Sequence, residues 1–164
     1  MTLSFAIITI SDTRTVKTDE SGQRLEDYVR KAGHTLACRK FAKDEISIIT
    51  ATLNTLIEDD SVDVVLTTGG TGITKRDVTP EAIKPLATKH IPGFGELFRM
   101  LSYREVGTST IQSRADGWLC NGTLVFALPG SPNAIALAWE EILVHQFNAE
   151  HTPCNFVQLL PRVR

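Results

Sequence analysis

The sequence predicts a three-layer α/β/α fold whose sheet is mainly parallel and contains one antiparallel hairpin. Short apolar segments rich in β-branched residues alternate with segments whose apolar residues repeat every three or four positions. The pair Asn121-Gly122 separates two further apolar segments and is typical of a two-residue hairpin turn. No repeat, linker or low-complexity segment interrupts the 164 residues, so we expect a single domain spanning residues 1–164.

The first predicted elements are a strand, a helix and a second strand. Residues 5–10 are continuously apolar, which is typical of a parallel strand buried on both faces. A polar loop, residues 11–20, precedes apolar residues at helical spacing between positions 25 and 32, and Gly33 is placed to end that helix. Residues 34–42 predict the second strand.

The middle of the chain predicts a second helix, a third strand and a third helix. The apolar face between positions 46 and 57 indicates the second helix, and Asp44 is expected to cap its N-terminus. Residues 62–68 predict a buried strand that leads into a glycine-rich loop. Thr79 followed by Pro80 is typical of the start of the third helix, with Thr79 as its cap.

The C-terminal half predicts a helix, the hairpin and a last helix. Apolar residues between positions 94 and 101 indicate the first of these. Residues 115–120 and 123–128 predict the two hairpin strands, and a long helix is expected over positions 132 to about 147. The tail, residues 151–164, contains two prolines and is expected to be irregular or an edge strand.

Composition and charge exclude several classes of protein. Hydrophobic residues make up 42% of the chain and charged residues 22%, which argues against intrinsic disorder. The formal net charge of −2 gives no sign of a nucleic-acid partner, and no apolar segment is long enough to span a membrane. Three cysteines (Cys38, Cys120 and Cys154) lack zinc-ligand spacing, and the N-terminus lacks a signal-peptide pattern. We therefore expect a cytoplasmic protein without membrane or nucleic-acid partners.

The glycine-rich loop is the strongest candidate ligand site. Gly69, Gly70, Thr71 and Gly72 follow a buried strand, and open α/β sheets bind ligands at the carboxyl ends of their strands. Such a loop allows a ligand to approach the backbone closely, and the backbone N–H groups of the loop can face a phosphate. It matches neither the P-loop nor the dinucleotide fingerprint. A turn needed only for connectivity is the alternative; if the loop binds a ligand, a side chain at Gly70 should intrude on that ligand.

Two further segments are candidate phosphate contacts. Gly130 and Ser131 lie in a Pro-Gly-Ser-Pro turn between an apolar strand and a helix, where a helix N-terminus can face an anion. Ordinary helix-start chemistry is the alternative for this turn. Ser113 and Arg114 end a hydroxyl-rich segment, residues 108–114, and a guanidinium there can clamp a phosphate.

Four carboxylates follow predicted strands and are candidates for holding a hard cation: Asp12, Asp44, Asp77 and Glu81. Mg²⁺ is typically held by one or two carboxylates together with substrate phosphates. Asp77 is the best candidate because Lys75 and Arg76 precede it and can meet phosphate charge. For each carboxylate, helix capping or solvation is the alternative.

Three segments resemble those of the molybdenum cofactor biosynthesis family, MoaB/MogA: residues 66–81 (LTTGGTGITKRDVTPE), 92–96 (PGFGE) and 128–132 (LPGSP). The resemblance covers nearly the whole chain. Within the family, residues 94–103 and the Thr-Pro-Cys-Asn-Phe tail look most like the B-protein branch, as does the loop of residues 12–20. The resemblance implies a molybdopterin-binding-domain-like fold and a homotrimer or homohexamer.

The resemblance also implies an activity, transfer of AMP from Mg²⁺-ATP to molybdopterin. By motif, residues 69–72, 113–114 and 130–131 correspond to the pterin and phosphate contacts. Asp44 and Asp77 correspond to the acidic positions assigned to metal and catalysis. A non-catalytic molybdopterin-binding assembly protein is the main alternative, and a binder of another phosphorylated ligand is a third.

The sequence contains more large apolar side chains than one small core obviously needs. Phe94, Phe98, Met100 and Leu101 on one predicted helix, with Trp118 on the hairpin, are the candidates for this surplus. A surplus of this kind often marks an interface between subunits. The sequence therefore predicts that these residues contribute to a closed oligomer with three-fold symmetry.

Overall fold

The computed structural model describes residues 1–164 and confirms the three-layer α/β/α architecture with a mainly parallel sheet. Six strands form one sheet in the order β2-β1-β3-β6-β5-β4. Their bounds are β1 Ser4–Ile10, β2 Thr35–Ala42, β3 Val64–Thr68, β4 Lys89–Ile91, β5 Asp116–Cys120 and β6 Thr123–Leu128.

The parallel part of the sheet places three strand ends together. β1 pairs in parallel with β2 and β3, and β3 pairs in parallel with β6. The predicted hairpin of β5 and β6 is antiparallel and turns at Asn121, which has the positive φ of 47° that a two-residue hairpin turn needs. β4 is an edge strand that the sequence did not predict, and it pairs antiparallel to β5.

Helices cover both faces of the sheet. Their bounds are α1 Glu20–Lys31, α2 Ile46–Ile57, α3 Thr79–Ile83, α4 Pro92–Val106, α5 Pro132–Ala138, α6 Val144–Gln146 and α7 Phe156–Leu159. A π-helical turn, Trp139–Leu143, joins α5 to α6, so the predicted last helix is present with one wider turn inside it. The tail pairs with no strand, which excludes the edge-strand alternative; it contains α7 and a 3-10 turn, Leu160–Arg162, and is otherwise irregular.

The alternation of side chains along β1 explains the two layers. Phe5 and Ile7 belong to a core beneath α1, α4 and α5, whereas Ala6 and Ile8 belong to a second core beneath α2 and α3. All four are fully buried. Successive side chains of a strand point to opposite faces, so a continuously apolar strand needs helices on both. No helix is long and apolar enough to cross a membrane.

Two predicted helix caps do not form. Glu45, not Asp44, is at the N-cap position of α2, and no side chain caps that helix. The Asp44 carboxylate instead lies against the glycine loop. The Thr79 hydroxyl is likewise directed away from its helix, because it donates to the Gly69 carbonyl oxygen at 2.9 Å. Both predictions fail because a tertiary contact with the glycine loop replaces the local one.

The predicted apolar surplus is mostly core. Phe94, Phe98, Leu101 and Trp118 are all buried within the chain, at 1–8% exposure. Phe94 packs edge-on against Phe126 with ring centroids 5.0 Å apart, which is the geometry of an ordinary core contact. Their assignment to an interface was therefore wrong, and only Met100 of the five is exposed, at 58%.

His34 makes the stability of this fold depend on pH. Its neutral ring accepts from the Leu3 N–H at Nδ1 and donates from Nε2 to the Phe147 carbonyl oxygen. Burial lowers the pKa of His34 below its ordinary 6.5. Its contribution to stability is therefore complete above pH 6.5 and is lost as the pH falls through 6.5 towards the lower folded pKa.

We expect His34→Gln to weaken that dependence. In urea denaturation, the free energy of unfolding of the wild type should fall between pH about 7.5 and 5, and that of the variant should fall by less. Equal slopes for the two proteins would show that His34 does not titrate in this range.

Candidate functional site

Two turns meet at the carboxyl edge of the sheet, one after β3 and one after β6. Gly69 and Gly70 have φ values of +107° and +67°, a region that favours glycine. The Gly69 N–H donates to the Leu128 carbonyl oxygen at 3.0 Å. A Cβ on Gly69 would overlap the Ile10 carbonyl oxygen at the end of β1, and one on Gly130 would lie 3.5 Å from the Gly69 Cα. The backbones of the two turns are therefore in close contact.

Hydroxyl groups fix the carbonyl oxygens of both turns. Thr79 donates from its hydroxyl to Gly69 and from its backbone N–H to Gly70. Thr68 donates to the Pro129 oxygen at 3.0 Å, and Ser21 donates to the Gly130 oxygen at 2.7 Å. These carbonyl oxygens are satisfied inside the protein, so the hydrogen bonds that they accept hold both turns in place.

A cavity of about 450 Å³ lies between these turns and α4, and it brings most of the predicted site together. It is bordered by the following predicted residues: Gly69, Gly70, Thr71, Gly72, Asp77, Ser113, Gly130 and Ser131. Other polar side chains complete its wall: Ser109 and Gln112 belong to the predicted hydroxyl-rich segment, whereas Ser102 was not singled out by the sequence. The Ser131 hydroxyl also caps α5, as predicted, by accepting from the Ala134 N–H.

A second cavity, of about 270 Å³, lies on the other side of the same two glycines. Gly69 and Gly130 border both cavities. Its wall is polar and comes mainly from β1, from the loop before α1, including Ser11 and Arg14, and from the first turn of α1, including Ser21. From the sequence this loop was recognised as polar, as similar to the B-protein pattern and as the place of Asp12, but not as the wall of a cavity. Its position after a buried strand, at the ligand edge of the sheet, was the signal that could have identified it.

Asp77 closes a tight turn and also borders the larger cavity. Its Oδ2 accepts from the Thr74 N–H at 2.9 Å and from the Thr74 hydroxyl at 2.6 Å. Burial alone would raise the pKa of Asp77, but these hydrogen bonds and the charge of Arg114 lower it below its ordinary value. The carboxylate is therefore ionised, and both bonds from Thr74 fall on one oxygen.

Asp44 lies outside this cavity, beside the back of the glycine loop. Its Oδ1 is 3.2 Å from the position that a Cβ on Gly70 would occupy. Burial raises the pKa of Asp44, and the neighbouring Asp12 carboxylate raises it further, against the opposing charge of Arg76. Arg76 forms a two-pronged salt bridge with Asp12, its Nη2 lying 2.7 Å from Asp12 Oδ2. Asp44 is thus a carboxylate whose negative charge is only partly compensated.

Arg114 is placed behind the loop and does not border either cavity. Its guanidinium donates to the carbonyl oxygens of Gly72 and Asp77 and pairs with the Glu81 carboxylate. This salt bridge occupies one carboxylate oxygen of Glu81, Oε1. The predicted contact of Arg114 with phosphate stays a prediction, and its observed partners are all protein groups.

No group of three or more histidine, cysteine or acidic side chains is arranged to hold a metal ion. Asp44 and Asp77 both lie close to the glycine loop: Asp44 is beside Gly70, and a Cβ on Gly72 would meet Asp77 Oδ2 at 2.8 Å. Two carboxylates of this kind match a cation that is completed by substrate phosphates.

The fold and the site define an α/β protein with two cavities that share Gly69 and Gly130 of its two glycine turns. Residues 6–149 match the family described as "Probable molybdopterin binding domain". The chain is 47% identical over 151 residues to molybdenum cofactor biosynthesis protein B of Escherichia coli (strain K12), covering 92% of this chain and 89% of the relative. It is 49% identical over 139 residues to the protein of the same name from Bacillus anthracis, covering 84% of this chain and 82% of that protein.

Solved structures that resemble this chain include B proteins as well. A crystal structure of molybdenum cofactor biosynthesis protein B has a TM-score of 0.90 at 41% identity, covering 99% of this chain and 96% of that one. The tungsten cofactor synthesizing protein MoaB from Pyrococcus furiosus has a TM-score of 0.82 at 35% identity, covering 99% and 98%. The chain therefore belongs to the molybdenum cofactor biosynthesis family and resembles its B proteins, as the sequence motifs predicted.

The structure changes the expected effect of a side chain at Gly70. A Cβ there would overlap the Thr79 hydroxyl behind the loop, so it would not enter the cavity. We expect Gly70→Ala to lower the free energy of unfolding by about 1–3 kcal/mol, the cost of a strained positive φ. Gly130→Ala is the matched control and should change it by less than about 1 kcal/mol, since its Cβ makes only ordinary contact.

Chemical denaturation of both variants measures this difference. Equal stabilities for Gly70→Ala and Gly130→Ala would show that the loop relaxes around a side chain.

Proposed function

We propose that this protein transfers AMP from Mg²⁺-ATP to molybdopterin, giving adenylylated molybdopterin and pyrophosphate. The observation that carries the proposal is the pair of cavities that meet at Gly69 and Gly130. A transferase of this kind must hold two phosphorylated substrates with their reacting phosphates next to each other. Gly69 and Gly130 border both cavities, so phosphates bound in the two cavities would meet at these glycines.

The larger cavity suits the pterin. Phe98 and Val106 give it apolar wall, and Ser109, Gln112 and Ser113 give it hydrogen-bonding groups for the edges of a polar ring. The smaller, more polar cavity then suits part of the nucleotide. With this assignment the pterin's terminal phosphate and the α-phosphate of ATP both lie against the glycine turns, whose N–H groups can stabilise negative charge.

The residues also fit the magnesium ion that the reaction requires. Asp77 has an oxygen, Oδ1, that Thr74 does not use, and Asp44 carries negative charge that Arg76 only partly offsets. We propose that these two carboxylates hold Mg²⁺ together with the ATP phosphates. When bound, the ion supplies charge neutralisation for the transferring group.

The proposed reaction forms one bond and breaks one. An oxygen of the pterin phosphate attacks the α-phosphorus of ATP, the bond from that phosphorus to the bridging oxygen breaks, and pyrophosphate leaves. Such transfers need little covalent chemistry from the protein. The glycine turns position the phosphates, Ser113 and Ser131 orient the pterin, and Lys75 and Arg76 offset the charge of the departing pyrophosphate.

A non-catalytic molybdopterin-binding assembly protein is the second candidate. The observation that favours it is the long loop before α1, which follows the B-protein pattern. The chain is 47% identical to a B protein but only 27% identical to the solved Mog protein of Mycobacterium ulcerans, which has a TM-score of 0.83. Against this candidate, a protein that only binds the pterin has no need of the second cavity or of two partly compensated carboxylates.

Asp77→Asn separates the two candidates. Asn keeps the size of the side chain and an oxygen for Thr74 but removes the charge that a hard cation requires. We expect molybdopterin affinity within about threefold of wild type and AMP transfer slowed at least about 100-fold, because the charge acts mainly on the transition state. Pyrophosphate release measures turnover, and a pterin-binding titration measures affinity.

Thr74→Val is the matched control. It removes one hydrogen bond to the same oxygen but leaves the carboxylate charged, so turnover should change by no more than about fivefold. Wild-type turnover in Asp77→Asn would show that Asp77 only shapes its turn.

We also propose a homotrimer or homohexamer, now supported by a different surface from the one that the sequence predicted. Exposed apolar side chains lie on the outer side of α4 and just after it: Leu97, Met100, Tyr103, Val106 and Ile111. Several large exposed apolar side chains on one helix are typical of an interaction site. Three-fold closure would bury it in each copy.

Tyr103→Glu should disrupt this assembly. Light scattering should give three or six times the 18.0 kDa of one chain for the wild type and the mass of a single chain for the variant. Leu159→Glu, an exposed apolar residue on α7, is the control and should leave the mass unchanged. A wild-type monomer would refute the proposed assembly.

A further inference from the structure

We propose that Arg114 is a positioning residue that sets the place of the Asp77 carboxylate, and that it does not bind substrate phosphate. The inference deepens the proposed function, on which its catalytic consequence rests. Its structural part concerns only the loop of residues 72–77, called the Asp77 loop below.

The guanidinium of Arg114 joins the two ends of the Asp77 loop. Nε donates to the Gly72 carbonyl oxygen at 2.8 Å, and Nη2 donates to the Asp77 carbonyl oxygen at 2.7 Å. Nη1 pairs with Glu81 on α3, and the Arg114 backbone N–H donates to the Thr71 oxygen at 2.9 Å. All three guanidinium nitrogens are thus engaged by protein acceptors.

Apart from these anchors, the loop is tied to the rest of the protein only at Arg76, which forms the two-pronged salt bridge with Asp12. Residues 73–76 are all exposed, so no core packing holds them, and the bonds between Thr74 and Asp77 fix the turn only internally. The salt bridge of Arg76 is exposed and therefore stabilises the loop little. Because Arg114 binds the backbone of Asp77 itself, its guanidinium sets where the Asp77 carboxylate lies relative to the cavity.

The same arrangement argues against a direct phosphate contact. Arg114 borders neither cavity, so its two remaining N–H groups could reach a phosphate there only if the side chain moved and released its bonds to Gly72 and Asp77. Lysine cannot replace it, because a single ammonium group lacks the planar fork that spans the two carbonyl oxygens and the carboxylate.

Loss of Arg114 should therefore loosen the Asp77 loop and reduce turnover while sparing substrate affinity. For Arg114→Ala without ligand, we expect amide hydrogen exchange at positions 74–77 to be at least about tenfold faster, with the sheet unchanged. The value of kcat should fall at least about tenfold, with KM for molybdopterin and ATP within about threefold. Millimolar guanidinium should restore part of kcat, and Arg114→Lys should behave like Arg114→Ala.

Arg164→Ala is the matched control. Arg164 also binds one backbone carbonyl, that of Val62, and one carboxylate, that of Asp63, but it does so at the opposite edge of the sheet. It should change neither the exchange of the Asp77 loop nor kcat. If Arg114→Ala does not fold, Arg114→Lys, which retains the charge and the alkyl chain, decides the question.

The outcomes separate this inference from the proposed function. A rise in KM with unchanged kcat would overturn it and make Arg114 a substrate contact, and unchanged loop exchange would also overturn it. A wild type without turnover would refute the proposed transfer, whereas the exchange measurement would still confirm or overturn the positioning of the loop.

Discussion

The site depends on the close contact between the turn after β3 and the turn after β6. β3 lies between β1 and β6 in a parallel arrangement, so all three strands end at one edge. Gly69 is therefore confined between the Ile10 carbonyl oxygen and Gly130, and its backbone N–H is used by Leu128. A side chain at Gly69 would overlap the Ile10 carbonyl oxygen at the end of β1, so the turn that borders both cavities would have to move.

Charge around these turns is distributed unevenly. Asp12 is matched by the two-pronged salt bridge from Arg76, which lowers the pKa of Asp12. Asp44 lacks such a partner and Asp77 is held by neutral donors, so the edge of the glycine loop keeps negative charge in a chain of net charge −2. Polyphosphates would be repelled by that charge alone. A divalent cation between carboxylates and phosphates would remove this conflict, which is the reason that the proposed function includes Mg²⁺.

Sequence periodicity predicted the fold well because its strands and helices are long and regular in pattern. β4 was missed because it has only three residues, lies between prolines and contributes mainly backbone pairing. The caps assigned to Asp44 and Thr79 were wrong for a related reason. Local chemistry favours capping. In the folded protein, however, the Thr79 hydroxyl donates to the Gly69 carbonyl oxygen, and the Asp44 carboxylate lies beside Gly70.

The site was predicted as a set of residues but not as an arrangement. Glycine, serine and aspartate at strand ends identified the larger cavity, because the topology of parallel strands brings such positions together. The second cavity and the role of Arg114 depend on how the loop before α1 and the Asp77 loop fold back. Such contacts leave no periodic signal in the sequence.

The central claim is that the two cavities hold two substrates that react across the shared glycine turns. It is tested most directly by incubating the protein with molybdopterin, Mg²⁺ and ATP labelled at the α-phosphate. Label should enter the pterin in equal amount to the pyrophosphate released, and omission of either molybdopterin or Mg²⁺ should abolish both. Tight binding of molybdopterin with neither label transfer nor pyrophosphate release would contradict it.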